Sequence, residues 1–382
     1  MLRRAPTLLP LCLAVAVAMP ARAEQATAPP VPVEPAEPPS AAPRWVPPVV
    51  AVVPGVLVHG SGHFVAGERS TAWSLLKYEA IGVGALLLGG AALAATGASR
   101  RTIEPAILTA AAGGGLLATS WLADLYGVLA PKGGAGAPLR VLPSFEAQLG
   151  TRLVDNPTVA GRYFLGPSFD VRAGGWRFSP GAWLAIDGNS QSRYAGQIAY
   201  RVVGPRATPA HVVADGSSFD VVLGVIHHRY SEDAHGAIPG AAFDMTTVDL
   251  HLEGRYDLRR VARSLTGAFV EGAAGVGLGA YHYPVAGTTE ANSVLVARFA
   301  FGLDLGHRAQ RWGQARIFYD HRHDDFAGGL KMPGLGSGAL GYFGVEGSAY
   351  VTRGWGLHGE VQAGSAWVFG LGIARRFGSV SL

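Results

Sequence analysis

The sequence predicts a mainly β protein: an antiparallel transmembrane β-barrel of about twelve strands, preceded by an α-helical hydrophobic hairpin. Three observations carry that prediction. Residues 144–382 alternate apolar and polar side chains with period 2, in runs broken by Gly, Pro, Asp and Asn turns. The amino terminus has the layout of an export signal. Between them lies an apolar unit with almost no charge.

Residues 1–23 form the predicted signal peptide. Arg3 and Arg4 give a basic start, Leu8 to Met19 is mostly apolar, and Ala21-Arg22-Ala23 supplies an A-x-A cleavage site. Cys12 lies inside this segment without the small residue before it that a lipoprotein site needs. The exported chain therefore has no cysteine, which excludes disulfides and thiolate metal sites. Three of the 31 basic residues also leave with the signal, so 28 Lys and Arg face 27 acids, a net charge of +1. The remaining cations are scattered, which argues against a nucleic-acid partner.

Residues 24–48 are rich in Ala, Pro and Glu and too poor in apolar bulk to fold, so they are expected to be a disordered linker. Residues 49–130 form the hydrophobic unit. Ile81 to Ala98 carries no charge, Pro105 to Ala130 carries only Asp124, and Ser99-Arg100-Arg101-Thr102 is a polar turn between them. That pattern predicts two helices whose Gly and Ala content permits close approach. Each is near bilayer-spanning length, yet mild enough in hydropathy to pass through the inner membrane during export. Residues 131–143 are the connection to the first strand. Fully extended they reach about 45 Å, so the hairpin belongs against the barrel, in the same bilayer or at its periplasmic rim.

Pro54-Gly55 followed by His59-Gly60-Ser61-Gly62-His63 opens the hairpin. This segment resembles the "PG-x-GH" start of small hydrophobic hairpin domains in bacterial membrane proteins, which implies a membrane-associated hairpin and no particular chemistry. Helical spacing would let His59 and His63 share a metal, but the intervening glycines favour a tight turn with hydrogen-bonded imidazoles.

In the barrel, Phe145, Ala147, Leu149, Thr151 and Leu153 share one face of a strand and Glu146, Gln148, Gly150 and Arg152 the other. Val248 to Tyr256 alternates as cleanly against Asp249 to Asp257. An even strand count returns the carboxyl terminus to the periplasmic side. Strand-end aromatics suggest outward girdles, with Trp176, Trp312 and Trp355 on the inner side and Tyr163, Tyr194, Tyr230, Phe243 and Tyr281 on the outer. The longest loops, Ser231 to Ala242 and Asp324 to Ser337, fall on the outer side, and Gly204 to Ser217 is long for an inner turn. Phe377 stands in for the usual terminal aromatic.

Read inward, the polar face gives a lumen of both signs: Glu146, Arg152, Arg162, Asp170, Arg172, Arg193, Arg201, Asp249, Glu253, Arg255, Glu271, Arg298, Asp304, Arg316, Asp320, Glu346 and Glu360. An Arg facing lipid at the midplane would cost about 2 to 4 kcal/mol, whereas inside it can pair or meet water. The expected function is a non-enzymatic, porin-like one, a narrow channel for small solutes or a structural component of the bacterial outer membrane, with outer-membrane lipids as partners. Arg152, Arg162, Glu253, Arg255 and Arg298 would then set selectivity. No cofactor is implied. The alternative rests on the outer-loop cluster Tyr319 to Asp325, where His321, His323 and Asp324 are candidate metal ligands. A second polar cluster, His227 to His235, marks another outer strand end. A lipid hydrolase would need Ser231 or Ser337 to reach one of the histidines.

Overall fold

The computed structural model describes residues 43–97, 102–156, 162–188, 190–208, 213, 215–230, 243–283, 287–308, 311–328, 330–331 and 337–382. The predicted signal peptide, most of the linker, the outer loop at 231–242 and Ser231 with it lie outside them.

Four helices come first. Helix α1 (Val46–Val52) starts on a Pro pair that fits its first turn and runs across the expected linker boundary at residue 48. Helix α2 is Ser61–Ala66, α3 is Arg69–Thr96 and α4 is Ile103–Leu129. Helix α3 begins well ahead of the uncharged stretch, because Arg69, Lys77 and Glu79 continue the same helical path. Helices α3 and α4 are both long and apolar enough to cross a membrane. They meet through glycines: a Cβ at Gly113 would come within 2.4 Å of the Leu86 nitrogen, and one at Gly89 within 2.6 Å of the Ala106 oxygen.

The strands are β1 (Phe145–Asp155), β2 (Tyr163–Ala173), β3 (Trp176–Ala185), β4 (Ser192–Val203), β5 (Ser218–Tyr230), β6 (Phe243–Asp257), β7 (Ala268–Tyr283), β8 (Thr288–Arg308), β9 (Arg311–Asp320), β10 (Leu330–Lys331), β11 (Ser337–Leu340), β12 (Tyr342–Tyr350), β13 (Trp355–Ala363) and β14 (Trp367–Phe377). Short β10 and β11 pair only with each other. The other twelve close a barrel in which every neighbouring pair is antiparallel, sealed where β1 meets β14 from Phe145↔Phe377 to Asp155↔Trp367. Both ends of the barrel chain thus lie at one rim, called proximal here; the opposite rim is distal.

Alternation sets the two faces as expected. Leu278, Leu371 and Leu250 point outward and are 69%, 67% and 56% exposed, within a continuous apolar belt. Val222, His228, Thr247 and Asp249 point inward and are buried. Trp176, Trp355, Tyr163 and Tyr194 stand exposed on the outside, in the positions of girdle residues. Four expected girdle residues face the other way. Trp312 shares its parity with Gln314 and Arg316, is buried, and donates from Nε1 to the Ala137 carbonyl at 3.0 Å. Tyr230, Phe243 and Tyr281 likewise share parity with inward His228, Asp249 and Glu271, and Tyr230 stacks on Phe243 at 4.4 Å. A strand-end position alone does not set the face; parity does.

The hairpin leans on the outer wall. Gly115 of α4 sits over the outward ring of Phe299, and Ser293 donates to Glu104 at 3.0 Å near the distal side. At the proximal side the Tyr126 hydroxyl donates to the Thr266 carbonyl at 2.6 Å and accepts from the Ala135 amide at 2.9 Å. Leu75, Ala123 and Tyr126 of the hairpin pack there with Leu265, Ala268 and Phe301 of the barrel. Helix and barrel are therefore side by side over the same height.

Candidate functional site

The lumen is where the polar chemistry collects, and it is cross-braced. Arg298 binds Glu253, which also accepts from Arg177 at 3.2 Å. Arg316 bridges Glu271 and Glu346, and Arg152 binds Glu360 while its guanidinium lies 4.1 Å over the Trp183 ring. Arg255 donates from Nη2 to both Asp304 oxygens at 2.9 and 3.0 Å, and its guanidinium stacks 3.5 Å over Phe269. Arg201 forks onto Asp220 at 2.7 and 2.8 Å. Partners come from different strands because alternation turns these side chains into one narrow volume. There, an unpaired charge would be costly and a paired one is held.

Two cavities remain, of about 440 and 420 Å³. The distal one is lined by Arg152, Arg193, Asp325 and Gln362, the proximal one by Arg177, Arg201, Arg255 and Arg376. They share Glu146, Asp170, Ser179, Gln197, Arg298 and Arg316, so they lie in series along the barrel. Of the five expected selectivity residues, Arg152, Glu253, Arg255 and Arg298 line this interior. Arg162 does not: it precedes β2 at the distal rim and is exposed, its backbone amide bonded to Asp187.

Both mouths are filled. At the proximal rim the connection to β1 crosses beneath the barrel, where Leu139 packs on inward Trp312 and Tyr350 together with Val380 and Leu382. The Arg140 amide donates to the Ser381 carbonyl at 2.8 Å, and Leu142 to Arg206 at 3.1 Å. The described ends of the long Gly204 to Ser217 turn border this closure: Arg206 accepts from Leu142 and reaches back to the Arg201 carbonyl, and Pro205 and Gly216 line the proximal cavity.

At the distal rim, residues 321–328 do not form the solvated loop expected of a barrel rim; they fold into the mouth. Phe326 is 4% exposed, 4.6 Å from the Phe164 ring and 5.1 Å from His228. Arg322 grips Asp324 through two bonds at 2.8 and 2.7 Å and reaches Asp249 of β6 at 2.9 Å. Asp325 lies 3.5 Å from Arg193 and accepts from Tyr342 at 3.2 Å. A large aromatic and a forked Arg–carboxylate network are better satisfied inside than in water, which is why the loop turns inward. Burial raises the Asp325 carboxyl, but Arg193 and Arg152 outweigh it and hold it well below the ordinary range. Burial likewise opposes the charge on Arg322, and its carboxylates more than restore it.

The structure does not assemble the expected metal ligands. His321 Nδ1 is hydrogen-bonded to the Tyr319 hydroxyl at 2.9 Å on the outer side of the wall, His323 is exposed beside it with ring centroids 5.1 Å apart, and Asp324 is committed to Arg322. Among the described residues no three His, Cys, Asp or Glu side chains converge as a metal site. Burial pushes the His321 imidazole down to about 4, so it is neutral near pH 7. His228, from the other polar cluster, is stacked on Tyr230 at 3.8 Å inside the barrel.

The sequence motif at the head of the hairpin builds a second polar cluster. Asp124, fully buried, accepts from the amides of Gly60, Gly62 and His63 at 3.0 to 3.1 Å and from His63 Nδ1 at 2.6 Å. His59 Nδ1 meets the Ser120 Oγ at 2.6 Å, while that hydroxyl donates back to Leu116 or Leu117 within α4. His59 lies in a loop, but His63 lies in helix α2, so the tight turn expected of the whole segment holds for His59 alone; each imidazole has its own partner. Ser120 is 1% exposed and its hydroxyl is engaged with the α4 backbone as well as with His59.

No family model matches the chain, and no curated protein matches it. Solved barrels do. The KdgM porin, solved in complex with disordered oligogalacturonate, is 10% identical over 61% of this chain and 99% of its own, with a TM-score of 0.34. The translocator domain of the autotransporter NalP from Neisseria meningitidis is 12% identical over 61% of this chain and 88% of its own, with a TM-score of 0.34. Omp33 of Acinetobacter baumannii is 10% identical over 62% of this chain and all of its own, with a TM-score of 0.29.

Proposed function

We propose that this chain is a non-enzymatic outer-membrane barrel that serves as a narrow channel for small solutes and is closed in the conformation described. The observation that carries the reading is the lumen itself: two cavities in series, lined by charged and amide side chains, inside a closed barrel with an apolar exterior. A barrel with an outward apolar belt and no free edge satisfies its backbone within itself, which is what a bilayer demands. The same belt, together with the export signal expected at residues 1–23, supports an outer-membrane position. A purely structural protein has no need of an ordered polar interior large enough for water.

In this reading the pairs Arg298–Glu253 and Arg316–Glu271, at the junction of the cavities, and Arg152 and Arg255 on either side decide what passes. Their mixed signs favour small neutral or zwitterionic solutes over strongly charged ones. Arg162, at the distal rim, meets a solute first. The loop at 321–328 is the distal door.

Single-channel recording in planar bilayers tests this. The wild-type protein should be silent or open only briefly, and a variant with residues 322–327 replaced by Gly and Ser should show sustained small steps. A folded, heat-modifiable barrel that stays silent both with the loop replaced and with Leu139→Gly added at the proximal closure would leave only the structural-component reading.

A further inference from the structure

Helix α4 does not lie flush on the barrel. Between its Ala111–Ala112 face and the wall at Leu252, Val270 and Gly272 runs an apolar slot of about 320 Å³. It exists because small residues oppose one another. Gly254 and Gly272 are register partners on β6 and β7, at outward positions where their neighbours are Leu252 and Val270. A Cβ built on Gly272 would touch nothing nearer than the Arg298 carbonyl at 3.8 Å, so the wall itself leaves the space. Close packing is the rule at such contacts, and a void forfeits the dispersion energy of its lining. Water gains nothing in an apolar slot that offers it few partners. Leu250, two residues along β6 from the lining Leu252, is exposed on the outward belt, so hydrocarbon is the medium beside the slot.

Its proximal end is different. The slot ends at Tyr256, and the turn that follows β6 carries Arg259, Arg260 and Arg263, all exposed. The Arg260 guanidinium lies 6.0 Å from the Tyr256 ring and is held by Asp215 at 2.5 Å. Apolar slot and adjoining cations match the two halves of one class of molecule.

We propose that the slot between α4 and the barrel binds one anionic glycerophospholipid of the proximal leaflet. An acyl chain lies along the Ala111–Ala112 face, and the phosphate sits at the arginine turn. This rests on the reading of the barrel as a membrane protein. The helical hairpin is then a lipid-cemented buttress rather than a loose appendage.

The test uses the full-length mature protein, purified, stripped of lipid in detergent and re-exposed to phosphatidylglycerol or phosphatidylcholine of equal chain length, with retained lipid counted by native mass spectrometry. Wild type should hold one phosphatidylglycerol about tenfold or more tighter than phosphatidylcholine. Ala112→Phe, which fills the slot, should lose both lipids while the barrel keeps its heat-modifiable migration. Arg259→Gln/Arg260→Gln/Arg263→Gln should keep acyl binding and lose the preference for phosphatidylglycerol. Lipid retention unchanged in Ala112→Phe overturns the slot, and an unchanged preference in the arginine variant overturns the headgroup site. A wild-type barrel that inserts into vesicles yet retains no lipid overturns the proposal alone; a chain that does not insert overturns the membrane reading beneath it.

Discussion

Truncating Phe326 should open the distal mouth. Its ring is nearly fully buried between Phe164 and His228, with the guanidinium groups of Arg152 and Arg193 at 5.7 and 5.8 Å. Phe→Ala at such a site costs about 3 to 5 kcal/mol. The lower figure applies here, because a loop can settle partly into the space in a way that a strand cannot. A loss of about 3 kcal/mol from the docked loop lowers its closed-to-open ratio about 100-fold. The barrel wall, closed by β1 and β14 and braced across the lumen, should be unaffected. Two assays read this. Open probability in planar bilayers should rise by about two orders of magnitude until it saturates. A thiol placed by Ser179→Cys, on the wall shared by the two cavities, should be labelled faster by a water-soluble maleimide in the same proportion. Unchanged labelling and unchanged conductance in a Phe326→Ala protein that remains heat-modifiable would refute the role given to the loop.

Arg322→Gln should release the loop more strongly, because it leaves the buried Asp249 and Asp324 without their shared cation; about 3 to 5 kcal/mol is expected, read by the same maleimide labelling, with Asp324→Asn in the same chain recovering part of it. Acid should open the door through Asp325, which faces Arg193 and Arg152 only when docked. Protonation of the undocked Asp325, held lower when docked, weakens docking below about pH 4. Open probability should be the same at pH 7.5 and 5 and higher at pH 3.5, and Asp325→Asn should remove that rise. At the hairpin, Asp124→Ala strands three backbone amides and the His63 ring, at a cost of about 3 kcal/mol or more. Limited proteolysis should then cut the 59–67 segment while the barrel band survives; equal resistance to wild type would count against the cluster as the hairpin's anchor.

Strand number and face were legible in the sequence because period 2 is a local property, and it survives in strands such as Phe145–Asp155 and Phe243–Asp257 with little interruption. It placed Glu253, Arg298, Arg316 and Glu346 inside before any partner was known. Partners were not legible. Arg152 meets Glu360 across 208 residues, and nothing in the chain between them marks that distance in space. The aromatics show where position was weighted over pattern: Trp312 begins its strand as Trp355 does, yet its parity with Arg316 already assigned it to the lumen. At residues 321–328 the polar residues dominated the reading, and Phe326 was the missed signal. A single large aromatic between Asp325 and Ala327, in an otherwise hydrophilic loop, has nowhere favourable to go except back into the barrel. Asp124 gave the opposite lesson. As the one charge from Pro105 to Ala130 it demanded donors, and the glycine-rich stretch at 60–62 was the nearest source of free amides.

The pattern of bracing also says which part of the molecule moves. The Arg316 bridge to Glu271 and Glu346, and the Arg298–Glu253–Arg177 relay, tie β3, β6, β7, β8, β9 and β12 together across the lumen, beyond what the ladder bonds already do. Widening the barrel would break several buried ion pairs at once, each costly to strand. Lifting residues 321–328 breaks chiefly the Phe326 packing, the Arg322–Asp249 contact and the Asp325–Arg193 pair, and leaves the Arg322–Asp324 fork intact within the loop. The distal mouth therefore opens by lifting this loop rather than by widening the barrel, with the paired charges left standing as the filter beneath it.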